Sequence, residues 1–337
     1  MPSSISNSNG NNRSNGWLRA LAGGLLIALF LLAAWEVFWR ISGFSPVMED
    51  DLGIWTLKRR AVEKENGRTA VLMGASRMQL DVDPRVFQAE TGLQTVMLAI
   101  DGSSPLPVLA DLAGDNSFAG LVLCSLLPQW LADGGVDEGR SAKWVRKFRQ
   151  QKWSSRVETR LSLLLQSNFV FRYPGLLPDR LWQNFLEGEA PRPPYAPMRN
   201  DRYRPADYSL INIAELRAAR IKRQREIVAA AEPLSGEEFA QRVSEIEAMV
   251  RQILERGGRV IFLRLPSCGE ILKLEEETWP RRRYWDRFAA NTAARTVHFA
   301  DYPELAGFEC PEDSHLDFRD AEKFTRNLAD VLNLQAR

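Results

Sequence analysis

The chain has 337 residues, 45% of them hydrophobic, enough to bury a full core in one large domain or one domain with a subdomain. Its 44 lysines and arginines balance 43 aspartates and glutamates, and the formal charge of +1 excludes a global electrostatic pull toward nucleic acid or anionic lipid. Three cysteines, Cys124, Cys268 and Cys310, are too few for a disulfide scaffold and lack the paired spacing of a zinc site.

Residues 1–16 are rich in Ser, Asn and Gly without apolar periodicity, which predicts a disordered tail. Residues 17–40 read as a transmembrane signal anchor. No charge falls between Ala20 and Trp35, about 20 apolar residues cross a bilayer, and Trp17, Trp35 and Trp39 stand where interfacial anchors belong. A cleaved signal peptide is the rival reading, but Trp35, Glu36, Val37 and Phe38 stand where a cleavage site needs small residues. Arg13 and Arg19 precede the span, and Arg40 follows it. Glu49, Asp50 and Asp51 then intervene before Lys58, Arg59 and Arg60. The expectation is an amino terminus inside and the soluble domain outside.

After a linker and helix over residues 41–69, the apolar run 70–73 predicts a buried strand ended by Gly74. Asp83-Pro84 supplies an N-cap and a first-turn proline for a short helix. Residues 95–100 form a second strand, ended by Asp101-Gly102-Ser103-Ser104-Pro105; residues 106–113 suit a helix, and residues 120–126 a third strand. Further on, Phe239, Val243, Ile246, Val250 and Ile253 repeat at helical spacing before Gly257-Gly258 stops the helix. Residues 259–265 and 296–299 read as strands, and residues 319–334 as a closing helix with Phe324, Leu328 and Leu332 on one face. Strands alternating with helices predict the α/β class, with a doubly wound parallel sheet whose two halves are residues 70–134 and 237–337.

Between the halves, residues 135–236 read as a helical insertion, a cap or partner surface. Trp144, Lys147, Arg149, Trp153, Arg156 and Arg160 precede prolines at 191, 193, 194, 197 and 205. Interleaved basic and aromatic residues suit nucleic acid in principle, but an extracytoplasmic domain does not meet it; a solvated helix face or anionic lipid is the plainer reading. Cys124 reads as a core residue. Cys268 and Cys310 each follow a predicted strand, either as one disulfide in an oxidising compartment or as free thiols.

In an open parallel sheet ligands sit beyond the carboxyl ends of the strands. Ser76, in Gly74-Ala75-Ser76-Arg77, follows the first strand, Gly102 follows the second, and His315, in Glu312-Asp313-Ser314-His315-Leu316, follows the last. A serine there alone is more often an N-cap, and a lone loop histidine is more often a partly exposed residue. Together they supply a nucleophile, a base and an acidic orienter, the three parts an activated serine needs. The chain has only 2 histidines, and His298, alternating with Val297 and Phe299, reads as a strand residue.

This ordering resembles the SGNH (GDSL-type) hydrolases over residues 70–128 and 258–334. The resemblance implies a flavodoxin-like three-layer fold with Ser76 as nucleophile, His315 as general base, and the N–H groups of Ser76 and Gly102 as oxyanion donors. Glu312 holds the family's place for the acid, three residues before the histidine, with Asp313 one residue nearer; either carboxylate can orient His315. The family's Gly-x-Asn-Asp block is missing, since Cys124-Ser125-Leu126-Leu127-Pro128 offers no asparagine and Ser125 is the nearest substitute. Arg77 is a candidate for binding an anionic or sugar group, or else a solvated arginine. With its single anchor, the chain is most similar to the membrane-anchored group that modifies cell-envelope polymers.

The function this implies is an esterase or O-acyltransferase acting on an envelope polysaccharide or exopolysaccharide through an acyl-serine. Its setting would be the bacterial inner membrane, with the domain facing the periplasm, often beside a multispanning acyltransferase. The alternative is a catalytically inactive SGNH-like accessory protein in polysaccharide assembly or export. No Walker loop, dinucleotide fingerprint or metal-ligand spacing appears, so no cofactor, no metal and no nucleic-acid partner is expected. An α/β-hydrolase is disfavoured because Gly74-Ala75-Ser76-Arg77-Met78 lacks the second glycine of the nucleophile elbow.

Overall fold

A computed structural model describes residues 11–62, 67–133, 139–150 and 153–334, without the side chains of 11–15 and 153–156. Helix α1 (Asn11–Ile41) is followed by α2 (Leu52–Val62), β1 (Thr69–Met73), α3 (Ser76–Asp81), α4 (Pro84–Thr91), β2 (Gln94–Met97), α5 (Leu106–Ala113) and β3 (Leu121–Ser125). The middle of the chain holds α6 (Pro128–Ala132), α7 (Arg140–Arg149), α8 (Trp153–Asn168), α9 (Pro178–Glu187) and α10 (Ile213–Ala229). Then come α11 (Gly236–Glu255), β4 (Arg259–Arg264), α12 (Gly269–Thr278), α13 (Trp285–Ala289), β5 (Arg295–His298), α14 (Pro303–Ala306) and α15 (Phe318–Leu332).

The chain is α/β. Its five strands form one all-parallel sheet in the order β2-β1-β3-β4-β5, so the winding reverses between β1 and β3. Each apolar run feeds both faces, because alternate strand residues point to opposite sides. Val71, Met73, Val122, Cys124, Val260 and Phe262 join a cluster with Trp55, Leu109, Trp144 and the buried face of α11. Ala70, Leu72, Leu121, Leu123, Ile261 and Leu263 join another with Phe87, Leu316, Phe324, Leu328 and Leu332. Strands buried on both faces need helices on both, which is why they read as continuous apolar runs and not as alternating ones.

Local signals set the helix ends. Asp83 accepts from the Arg85 N–H at 2.8 Å and Gly92 closes α4 in the left-handed region. Ser235 and Glu238 form a reciprocal capping box at the start of α11, whose buried face is Phe239, Val243, Ile246, Val250 and Ile253. Asp317 caps α15.

The chain divides into two compact units: residues 1–47 with 164–193, and residues 48–163 with 194–337. The insertion expected over 135–236 is therefore not one body, since only its middle groups with the amino-terminal helix. Its aromatic and basic residues part company: Trp144 is buried 6.1 Å from Trp55, ring centre to ring centre, whereas Lys147, Arg149 and Arg160 are exposed, Arg149 while pairing with Asp111 at 2.6 Å. Trp153 and Arg156 lie outside the described side chains.

In the first unit, α1 begins at Asn11, so residues 11–16 extend the helix where a disordered tail was expected; residues 1–10 lie outside the described residues. The stretch Gly16–Ile41 is long and apolar enough to cross a membrane, with a mean hydropathy of 2.2 over an 18-residue window.

Candidate functional site

β1 delivers the chain to Gly74, at φ +154°. A Cβ there would lie 2.9 Å from the Ser125 Cβ and 3.1 Å from the Met78 Cβ, so a side chain would force the turn off the end of β3. Ser76 opens α3 half-buried, and its Oγ lies 2.8 Å from His315 Nε2. The other ring nitrogen, Nδ1, bonds to Glu312 Oε1.

Helix α3 also holds the histidine's loop. Arg77 Nε donates to the Ser314 carbonyl at 3.1 Å, and the Leu316 N–H donates to Asp81 Oδ1 at 2.9 Å, so both neighbours of His315 are tied to the helix that starts with Ser76. Asp81 is fully buried, and burial drives its pKa well above the usual carboxylate range despite the Leu316 bond and the Arg77 charge. Behind the site, Arg77 and Arg264 share the buried Glu275 at 2.8 and 2.6 Å, and the Ser267 hydroxyl donates to the same carboxylate at 2.9 Å.

The carboxylate against the His315 ring is Glu312. Asp313 instead adopts a left-handed backbone at φ +68° and turns away. Its carbonyl accepts from the Cys268 N–H at 3.0 Å and its carboxylate from the Glu270 N–H at 3.0 Å, pinning the loop to the start of α12. Gly269, at φ +51°, is required beside it, because a Cβ would sit 2.5 Å from Asp313 Oδ2.

Glu312 is fully buried, accepts a hydrogen bond from the Tyr208 hydroxyl at 3.1 Å and forms an ion pair with the Arg220 guanidinium at 3.3 Å. Burial raises its pKa, but His315, Arg220 and Tyr208 outweigh that and hold it below the usual value, so it is ionised. Burial dominates at His315 and lowers its pKa below 6.5 against the upward pull of Glu312; the ring is neutral at pH 7 and can accept the Ser76 proton.

Ser76, His315 and Gly102 line one cleft of about 580 Å³. Gly102 adopts φ +63°, and its N–H and that of Ser76 have no backbone partner among the described residues. The rest of the wall is polar and includes Asp101, Gln129, Arg220, Arg223, Gln224 and Glu232 beside Trp130. Gln129 Oε1 is buried without a partner. Among the described residues no group of three His, Cys, Asp or Glu side chains could hold a metal ion.

Two sequence expectations need correction. Arg77 is not solvated: it is 3% exposed and paired with Glu275, which raises its pKa against the effect of burial, while it lines the cleft with its Nη1 lacking a hydrogen-bond partner among the described residues. Ser125 is buried beneath Gly74 and does not line the cleft, so it cannot replace an oxyanion amide. Two partners of Glu312 were missed: Tyr208 and Arg220 lie in the segment read as an insertion. Gln129, in the first turn of α6 just past the block searched for an asparagine, lines the cleft.

His298 ends β5, and its Nδ1 accepts from the Ala300 N–H at 3.2 Å; burial, with Arg264 and Arg281, lowers its pKa to about 3. Cys268 and Cys310 are free thiols in contact. The hydrogen bond between them lowers Cys268 to about 7 and raises Cys310. Cys124 is buried in β3. Compared with known proteins, the chain matches no family model and no curated protein.

Proposed function

We propose that this chain is a membrane-anchored SGNH-type serine esterase or O-acyltransferase with a doubly wound catalytic domain. The observation that carries the reading is the line of contacts from Ser76 Oγ to His315 Nε2 at 2.8 Å and from His315 Nδ1 to the ionised Glu312. Ser76 Oγ attacks the ester carbonyl while its proton passes to His315 Nε2. Glu312 stabilises the imidazolium that forms. The N–H groups of Ser76 and Gly102 receive the oxyanion. One such donor is worth about 3 kcal/mol of barrier. As the tetrahedral intermediate collapses, the leaving alcohol takes the proton from His315. Water or an acceptor hydroxyl then attacks the acyl-Ser76 ester, with His315 again removing the proton.

The polar cleft, with Trp130 in its wall, suits a carbohydrate better than a lipid, and an envelope polysaccharide or exopolysaccharide is the substrate class we assign. In this reading α1 anchors the protein in the bacterial inner membrane, the domain faces the periplasm, and a multispanning acyltransferase supplies the acyl group where transfer occurs.

The test is fluorophosphonate labelling of the full chain in detergent. Label is expected on Ser76 in the native chain and absent from Ser76→Ala and His315→Ala. No label on a folded native chain would sink the reading in favour of an inactive accessory protein.

A further inference from the structure

Helix α9 carries Pro178, Leu181, Trp182, Phe185 and Leu186 within an arc of about 140° at 100° per residue, with Asp179, Arg180, Gln183, Asn184 and Glu187 on the remainder. Leu181 packs inward on Phe44, Val170 and Leu176. The others do not pack: Trp182, Phe185 and Leu186 are 62%, 73% and 67% exposed, and no residue of the helix is buried. A soluble chain rarely leaves stacked aromatic rings in water, and those of Trp182 and Phe185 lie 5.8 Å apart.

The same compact unit contains α1, and the contacts fix where α9 sits along it. The two Glu36 carboxylate oxygens accept the N–H groups of Val170 at 2.9 Å and Phe171 at 3.0 Å. Arg40, paired with Glu36 at 2.7 Å, donates to the Asn168 carbonyl at 2.6 Å. Phe44 lies between Trp39, edge to face at 5.1 Å, and Tyr173, tilted at 5.9 Å. The segment leading into α9 is thus bound to the last two turns of α1. The 26 residues of Gly16–Ile41 extend about 39 Å at 1.5 Å per residue. A hydrocarbon core is about 30 Å thick, so a spanning α1 carries Glu36 and Arg40 to the headgroups.

We propose that α9 lies in the membrane interface, with Trp182, Phe185 and Leu186 inserted among the lipid headgroups and upper acyl chains and the Asp179, Arg180, Gln183 and Glu187 face in water. The occupant is lipid because the apolar face continues from a membrane-length helix and is rich in the aromatic residues that favour the interface. Exposed Leu164, Phe169 and Leu177, in the same unit, extend it. The inference rests on the reading of α1 as an anchor and is independent of the esterase assignment.

The experiment uses the full chain in phosphatidylcholine vesicles on a Cys268→Ser background, with a nitrobenzoxadiazole label at Leu186→Cys or at Leu29→Cys in the middle of α1. The Leu186→Cys label should lose about twofold of its emission to lipid spin-labelled near the headgroup and less to lipid spin-labelled near the chain end. The Leu29→Cys label should show the reverse. A Leu186→Cys label quenched by neither lipid, with Leu29→Cys quenched as expected, overturns the α9 proposal and leaves the anchor standing. The same lipid result with shielding from aqueous iodide would mean that a protein surface covers α9, which also overturns it. Failure of the Leu29→Cys label to meet lipid removes the anchor and the inference together.

Discussion

Replacing Glu312 by Gln keeps the shape of the orienter and deletes its charge, so it separates positioning from electrostatics. At an effective dielectric of about 20 and a separation of about 5 Å, a carboxylate stabilises a full imidazolium by about 3 kcal/mol, or about 100-fold in rate. The loss should exceed that, because Arg220, 3.3 Å from the carboxylate, is left as an unpaired positive charge beside the ring. The pH profile supplies the sign. Glu312 is what raises the His315 pKa against burial, so without it the ring holds its proton less tightly and the acid limb moves to lower pH as the rate falls. Tyr208→Phe removes one hydrogen bond to the carboxylate and should cost only about tenfold. Fluorophosphonate labelling and aryl-ester turnover against pH read both quantities. Turnover of Glu312→Gln within threefold of native, or an acid limb moved upward, would refute the assigned role of Glu312.

Glu275→Gln should cost about 3–5 kcal/mol, because it strands Arg77 and Arg264 as two buried cations; thermal unfolding should fall by about 10 °C, whereas Glu322→Gln, in an exposed pair with Arg326, should cost less than about 1 kcal/mol. Equal losses in the two variants would contradict the burial argument. His298 has a folded pKa of about 3 against 6.5 unfolded, so its contribution is complete above pH 6.5 and shrinks as pH falls toward 3. Between pH 7 and pH 5 it should remove about 2 kcal/mol, and His298→Asn should lose that much less stability over the same interval in urea titrations. Parallel pH dependence in the two proteins would mean that the histidine is not buried as described.

The strands were legible because each is an apolar run closed by glycine, proline or a polar turn, and a parallel sheet buried on both faces demands that pattern. The helix over Phe239 to Ile253 was legible through its period. The Ser76 and His315 pair was legible through chain order, since strand-end loops collect on one edge. What composition hides is the fate of a charge. Arg77 reads as solvated until Glu275, 198 residues away, is placed against it, and no local period encodes that approach. Glu312 and Asp313 were indistinguishable because their roles depend on one backbone angle, the left-handed φ of Asp313, which swings its carboxylate to α12. Tyr208 and Arg220 were invisible because the insertion has no alternation to mark which residues return to the sheet edge. Its division between two compact units shows that the loss of alternation was not a domain boundary.

Helix α3 begins with the serine and grips the backbone on either side of His315 through Arg77 and Asp81. Ser76 and the His315 loop therefore share a frame. A displacement of α3 carries the serine and the backbone on both sides of the histidine with it, so the ties favour keeping the gap between the two side chains. On the proposed reading, proton transfer from Ser76 to His315 needs that gap to hold as well as the Glu312 charge, and these ties keep it independent of how the outer walls of the cleft are arranged.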